Sequence, residues 1–272
     1  MPKLALATLC ASLLSCAAQQ ADYYIDQLAD SRRQVRLDAS HALVQLGGAA
    51  VEPLLDRAAA GSDSLRYITA QILGQIGDRR ATPFLKSLLR NDNRYVREQA
   101  VRALGQLDDP RLHATLASVL ASDSVPDVRG AAAWSLGNIR DTTAVPSLVR
   151  ALTDTVPSVR RQALAALQFL WTPAAEAASL AALRDRDDNV RYIAAQLLGH
   201  HRTHRALDAL CLALTDDNIW VRAESARTLG RIGDTTAVVP LERMFAEREG
   251  PDHEAAKEAL HLLTGLNYAV AP

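Results

Sequence analysis

One ten-residue pattern dictates what this chain can fold into. Val96-Arg97-Glu98-Gln99-Ala100-Val101-Arg102-Ala103-Leu104-Gly105 returns at 128–137, 190–199 and 221–230, with looser copies starting at Val35, Leu65 and Val159. The arginine behind the leading apolar residue stands at 36, 66, 97, 129, 160, 191 and 222, so successive copies lie 30, 31, 32, 31, 31 and 31 residues apart. One further step reaches His253, with Ala256, Ala259 and Leu260 in the matching places. A period of this length marks a stack of small units, none of which can bury its apolar surface alone.

With the arginine as reference, apolar residues fall at −1, +3, +6 and +7, the spacing of one helix face. A second short apolar stretch precedes each copy, as in Pro83-Phe84-Leu85-Lys86-Ser87-Leu88-Leu89 and in 146–152. Pro146 and Pro240 suit a first helical turn, where a missing N–H costs nothing. Gly105, Gly137, Gly199 and Gly230 mark the close of the second helix, and turns such as Gly77-Asp78 and Gly233-Asp234-Thr235 separate one unit from the next. The unit is a helical hairpin.

Composition supports this reading. The chain is 49% hydrophobic but only 4% aromatic, so its core rests on Ala, Leu, Val and Ile, side chains that let helices pack closely. The 30 Lys plus Arg nearly balance the 31 Asp plus Glu. Non-specific nucleic-acid binding needs surplus positive charge to displace phosphate counterions, and none is present overall.

The string V-R-x-x-A-x-x-A-L-G-x-I-G-D followed by A-V-x-x-L, nearly complete from Val221 to Leu241, resembles the HEAT-repeat family in its short, phycobilin-lyase-type form. The period is shorter than the ~40–47 residues of standard HEAT or armadillo units. The resemblance implies an all-α fold, a right-handed α-solenoid (superhelix) of about eight short hairpins over residues 22–265, with a tail at 266–272. It also implies that Arg36, Arg66, Arg97, Arg129, Arg160, Arg191 and Arg222 form a structural ladder. Each is expected to meet turn acids, for example Asp92 near Arg97 and Asp217 near Arg222. His253 is then a structural variant of the same slot.

Residues 1–20, MPKLALATLCASLLSCAAQQ, place one cation at Lys3 before an apolar run and then small residues, the form of an export signal. Leu13-Leu14-Ser15-Cys16 resembles the bacterial lipoprotein signal. That resemblance implies a signal peptide over 1–15, lipidation (palmitate) at Cys16, a tether over 16–21, and anchoring in the bacterial envelope, at the outer membrane facing the periplasm. A cleavable signal ending near Ala17-Ala18, or a buried first helix, is the alternative. Cys211 lies in the apolar run 209–213 and reads as a small core residue.

Two stretches break the repeat. Gln168-Phe169 replaces the Gly-x pair before Leu170-Trp171-Thr172-Pro173, and His200-His201-Arg202-Thr203-His204-Arg205 lacks the usual Ile-Gly-Asp. Each break is expected to change local geometry or add a protruding loop. The three histidines read as solvated loop, with a metal as the less favoured option.

Second helices line the usual binding face of helical-repeat proteins. Positions +2, +5 and +9 form a stripe that is mostly amides, with Trp134 and Phe169 among them. Aromatics among hydrogen-bonding groups are the makeup of a protein-contact hot spot. The candidate partner-binding residues are therefore Gln99, Arg102, Trp134, Asn138, Phe169 and Gln196, with packing at a repeat junction as the alternative for Trp134.

Enzyme readings fare worse. His253-Glu254 opens like H-E-x-x-H, but Lys257 stands where the second metal-binding His is required. Deoxyhypusine hydroxylase, a HEAT-type di-iron enzyme, carries several His-Glu pairs, and this chain has one. The expectation is a non-enzymatic scaffold or adaptor that binds a protein or peptide, with no cofactor, no metal and no nucleic acid, monomeric without its partner. The alternative is a HEAT-like lyase or accessory subunit acting on a bound protein.

Overall fold

The computed structural model describes residues 17–247 and 249–268. The leader and Cys16 lie outside the described residues. These residues fall into two compact units that divide between Asp141 and Thr142. Among them are helices and short 3-10 turns, and no strand.

The first unit holds α1 (17–27), α2 (Arg33–Leu46), α3 (Val51–Ala59), α4 (Asp63–Ile76), α5 (Thr82–Leu88), α6 (Arg94–Gln106), α7 (His113–Ser122) and α8 (Pro126–Ile139). The second holds α9 (Val145–Ala151), α10 (Pro157–Leu167), α11 (Pro173–Ala182), α12 (Asp188–His200), α13 (Leu207–Ala213), α14 (Ile219–Ile232), α15 (Val238–Glu247) and α16 (Pro251–Thr264). Odd-numbered helices are the short first members of hairpins and even-numbered ones carry the repeat pattern. The fold is an all-α repeat, as the periodicity requires.

Local chemistry sets the helix starts. The Asn93, Asp187 and Asn218 side chains accept hydrogen bonds from the first free backbone N–H groups of α6, α12 and α14, and proline opens α8, α10 and α16. The apolar positions behave as the spacing predicts: Val96, Ala100, Ala103 and Leu104 are all buried, as are Val190, Ala194, Leu197 and Leu198. Each fully buried Leu contributes about 1.5–3 kcal/mol.

Position +6 is not always apolar. Ser135 Oγ donates to the Val101 carbonyl at 3.1 Å, and Thr228 Oγ1 donates to the Ala195 carbonyl at 2.9 Å. Each therefore ties its helix to the preceding second helix without leaving a buried hydroxyl unpaired.

The glycines at +8 do a different job from the one the sequence suggests. They sit inside the helices, and their role is close approach. A Cβ on Gly105 would lie 2.5 Å from Ser135 Cβ, and one on Gly199 would lie 2.5 Å from Thr228 Oγ1. The helix is closed three residues later, at +11, where the backbone turns left-handed. Gly77 and Gly233 take that conformation at φ 74° and 84°, but Asp108, Arg140 and Arg202 take it without being glycine, at φ 47°, 55° and 47°.

The arginine ladder also differs from expectation in one respect. Where a rung is fully formed, the arginine meets backbone within its own repeat and takes its carboxylate from the next one. Arg97 Nη1 donates to the Asn91 and Asp92 carbonyls at 2.9 and 3.1 Å, while its Nε and Nη2 fork onto the Asp123 carboxylate at 2.9 and 3.2 Å. The Asp92 side chain is not the partner. Arg129 holds the backbone of its own turn in the same way, its Nη1 donating to the Asp123 carbonyl at 2.9 Å. Asp123 thus serves two rungs, its carboxylate bound by Arg97 and its carbonyl by Arg129.

In the second unit Arg160 grips Asp185, Arg191 grips Asp216 and Arg222 grips Asp252, with closest distances of 2.7 Å. Asp217 offers Arg222 only its carbonyl. Burial alone would raise the Asp185 carboxyl, but the Arg160 bonds and the Asp187 N–H outweigh it and hold the group below its ordinary range. The same balance lowers Asp216.

The ladder weakens toward the N-terminus, because Asn91 and Gly61 stand where later repeats have that aspartate. Arg66 falls back on Asp63 within its own helix, at 3.3 Å, and Arg36 on the Asp30 and Ser31 carbonyls.

Candidate functional site

The two breaks in the repeat come together in the second unit. Gln168 occupies a slot that is glycine in α12 and α14, and α10 stops at Leu167, two or three residues earlier in the repeat than those helices do. A Cβ at this slot would stand 2.5 Å from the next second helix in α6 and α12, where the residue is Gly105 or Gly199. The chain instead turns out through Gln168 and Phe169, and buries Leu170.

Trp171 then stacks on His201, the ring centroids 3.9 Å apart and 6° from parallel. His200 meets His201 edge-on at 4.9 Å. Burial pushes the His201 imidazole below its ordinary pKa and the neighbouring His200 adds to this, partly offset by a bond from the ring to the Gln168 backbone. Its Nε2 is buried with no hydrogen-bond partner among the described residues. Burial thus disfavours the charged form of His201, which serves as a packing ring against Trp171.

The early end of α10 leaves a pocket of about 550 Å³ at the C-terminal ends of α10, α12 and α14. Leu164, Ala165, Ile193 and Leu197 supply its apolar lining, and Gln168, Gln196, His200, Arg202 and Arg231 its polar lining. Arg231 is positioned by one ion pair and lies over a glycine. Its Nη2 donates to Glu224 Oε1 at 2.9 Å, and its Nη1 lies 2.8 Å from where a Cβ on Gly199 would stand. Glu224 is only 3% exposed and has Arg227 at 3.7 Å as a further counter-ion. Arg227 in turn lies 3.9 Å from the exposed Glu258. Arg202 has no ion pair or side-chain hydrogen bond among the described residues.

Of the residues expected to bind a partner, Gln196 lines this pocket. Phe169, 50% exposed, directly follows the lining residue Gln168. Gln99, Arg102, Trp134 and Asn138 belong to the first unit. There Trp134 is 36% exposed on α8, Gln99 and Asn138 are half-buried, and Arg102 pairs with Glu98 along α6 at 2.9 Å.

The +2 position is not a uniform part of the exposed stripe, since Ala131 and Glu224 are buried. Gln168, Arg202 and Arg231 lie outside the expected set. The signals that point to them are a large residue in a glycine slot and an arginine in a left-handed slot. Cys211 is half-buried, and burial, with Asp208 and Asp234 nearby, raises its thiol pKa, which disfavours a nucleophilic role.

Among the described residues no group of three or more His, Cys, Asp or Glu side chains could hold a metal ion, and no helix is long and apolar enough to cross a membrane.

Helical hairpins joined by glycine-to-small-residue contacts and by an Arg–Asp ladder define a helical-repeat protein. More particularly, the chain belongs to the HEAT-repeat family: HEAT repeats match residues 51–136, 114–180 and 176–261. No curated protein matches it in sequence.

Among solved structures, YibA of Escherichia coli is 23% identical, with 93% of this chain and 96% of that one covered and a TM-score of 0.64, a likeness of fold. Human deoxyhypusine hydroxylase in complex with glycerol is 25% identical over 93% of this chain and 98% of its own, with a TM-score of 0.42. The CpcE–CpcF complex of phycocyanin lyase from Nostoc sp. is 23% identical over 89% and 94%, with a TM-score of 0.43. The last two scores are too low to relate those proteins' sites to this one.

Proposed function

We propose that this protein is a non-enzymatic scaffold or adaptor that holds a peptide segment of a partner protein against its second helices. The observation that carries this reading is the pocket at the ends of α10, α12 and α14, where exposed amides and guanidinium groups surround an apolar floor. Amides offer both donors and acceptors, which suits the alternating N–H and C=O groups of an extended peptide. The pocket is built by departures from the repeat, which a purely structural stack does not need.

A photo-crosslinking residue at Gln196 tests the proposal in the native host, with Leu212, exposed on first-helix α13, as the control position. A discrete crosslinked partner from position 196 and none from 212 is the expected result. Equal labelling from both positions, or none from either, overturns it.

The scaffold is proposed to work as a lipoprotein at the envelope, anchored through Cys16 and facing the periplasm from the outer membrane. The Leu-Leu-Ser-Cys string supports this. More than one acyl chain is needed for firm anchoring, at ~0.8 kcal/mol per buried CH₂. Cys16→Ala is expected to move the protein from the membrane to the soluble fraction and to abolish acyl labelling. Unchanged fractionation and mass overturn the anchor.

A further inference from the structure

We infer that the pocket at the ends of α10, α12 and α14 recognises a carboxylate: it takes an Asp or Glu side chain of the bound peptide between Arg231 and Arg202. The inference rests on the peptide-binding reading above and names the chemistry that the peptide must present.

Charge is the first argument. Arg202, Arg227 and Arg231 meet two acids, the buried Glu224 and the exposed Glu258, which leaves a positive charge uncompensated at the site. In the ladder of the second unit, by contrast, Arg160, Arg191 and Arg222 each have a carboxylate of their own.

Pre-organisation is the second. Arg231 is bonded to the buried Glu224, and its guanidinium lies over Gly199, in space that a Cβ there would occupy. A guanidinium fixed in this way presents its remaining N–H groups in the planar fork that matches a carboxylate.

The third argument is the unpartnered guanidinium of Arg202. Arg202 takes the left-handed +11 slot at φ 47°, a slot filled by Gly77 and Gly233 in two other repeats and by Asp108 and Arg140 in two more. A residue with a Cβ is disfavoured there, and such strain persists where something else repays it. The backbone of this turn is repaid by its capping bonds, Arg202 N–H to the Gly199 carbonyl at 3.2 Å and Thr203 N–H to the Leu198 carbonyl at 3.0 Å, but the Arg202 guanidinium has no side-chain partner among the described residues. A carboxylate ligand would supply one.

Cations in a last helical turn also offset the helix dipole, a role that affects folding and leaves ligand choice untouched. Binding and stability must therefore be read separately. The probes are fluorescein-labelled decapeptide pools, randomised among Ala, Gly, Ser, Thr and Leu around a fixed central Glu, central Gln or central phosphoserine, followed by anisotropy.

Wild type is expected to bind the Glu pool at least tenfold more tightly than the Gln pool, and more tightly than the phosphoserine pool. Arg202→Gly is expected to lose most of that preference while melting no lower than wild type. Arg231→Gln is expected to abolish it. If Arg231→Gln unfolds because Glu224 loses its partner, Arg231→Lys carries the same test, since it keeps the charge but loses the fork.

Equal binding of Glu and Gln pools, preference for phosphoserine, or a Glu preference that survives in Arg202→Gly/Arg231→Lys overturns the carboxylate assignment. If position 196 still crosslinks a partner in that case, the peptide-binding reading stands and only its chemistry is wrong. Failure of both experiments removes both.

Discussion

Trp171 and His201 lie face to face, one from each break in the repeat, their rings 3.9 Å apart. Neither residue is legible as a contact in the sequence, where they stand in different turns. Together they join the turn after α10, which ends early at Leu167, to the turn after α12. Removing the larger ring is expected to cost about 1–3 kcal/mol, the contribution of an aromatic stack together with partly buried apolar area. Thermal unfolding of Trp171→Ala should show this, and Trp171→Phe should lose less. An unchanged melting temperature for Trp171→Ala would show that the stack is incidental.

The same stack makes stability depend on pH. The folded pKa of His201 is lowered, so the folded chain binds fewer protons than the unfolded one below the ordinary value of ~6.5. The stability contributed by neutral His201 is therefore fully present above that value and is lost as pH falls through the lowered folded pKa. Denaturation midpoints should drop from pH 7 toward pH 5. His201→Phe, which keeps a ring against Trp171, should flatten the slope in that interval, and an unchanged slope would contradict the assignment.

Ladder arginines should not be equivalent. Arg160 is 3% exposed at its side chain, forks onto Asp185, and donates to two carbonyls. Arg160→Ala leaves that part-buried carboxylate with the Asp187 N–H but without its counter-ion, and is expected to cost about 1.5–3 kcal/mol. Arg36 bonds only carbonyls at a more exposed turn, so Arg36→Ala is expected to cost ~1 kcal/mol or less. Urea titrations of the two variants give the comparison directly. Equal losses would mean that the Asp185 carboxylate adds nothing.

Two glycine exchanges should run opposite to helix propensity. Gly105→Ala would ordinarily stabilise a helix by about 1 kcal/mol, but here its Cβ meets Ser135 at 2.5 Å. Overpacking of about 1–3 kcal/mol should outweigh the gain. Arg202→Gly should be neutral or stabilise by up to ~1 kcal/mol, because it relieves a left-handed backbone at some cost in unfolded-chain entropy. Differential scanning calorimetry on both variants checks the signs.

The repeat pattern made the hairpins, their register and their buried face legible, because helix periodicity and capping act over a few residues. Gln196 was legible as part of an exposed stripe for the same reason. Glu224, in the same stripe, was not, since it is buried and paired with Arg227 and Arg231, which only the tertiary structure shows. Asp123, rather than Asp92, as the carboxylate for Arg97 was hidden because the partner is 26 residues away, across a repeat boundary.

By itself, the sequence determined that the chain is an all-α repeat and which residues fill its core, since one period recurs along it and a hairpin cannot be stable alone. Only the tertiary structure decided what the two irregular turns are for. Gln168 and Arg202 are 34 residues apart, and what joins them is the packing of α10 beside α12. Where α10 ends early, before Gln168, a pocket opens that Arg202 and Arg231 line, and Trp171 stacks on His201 in the adjoining turns.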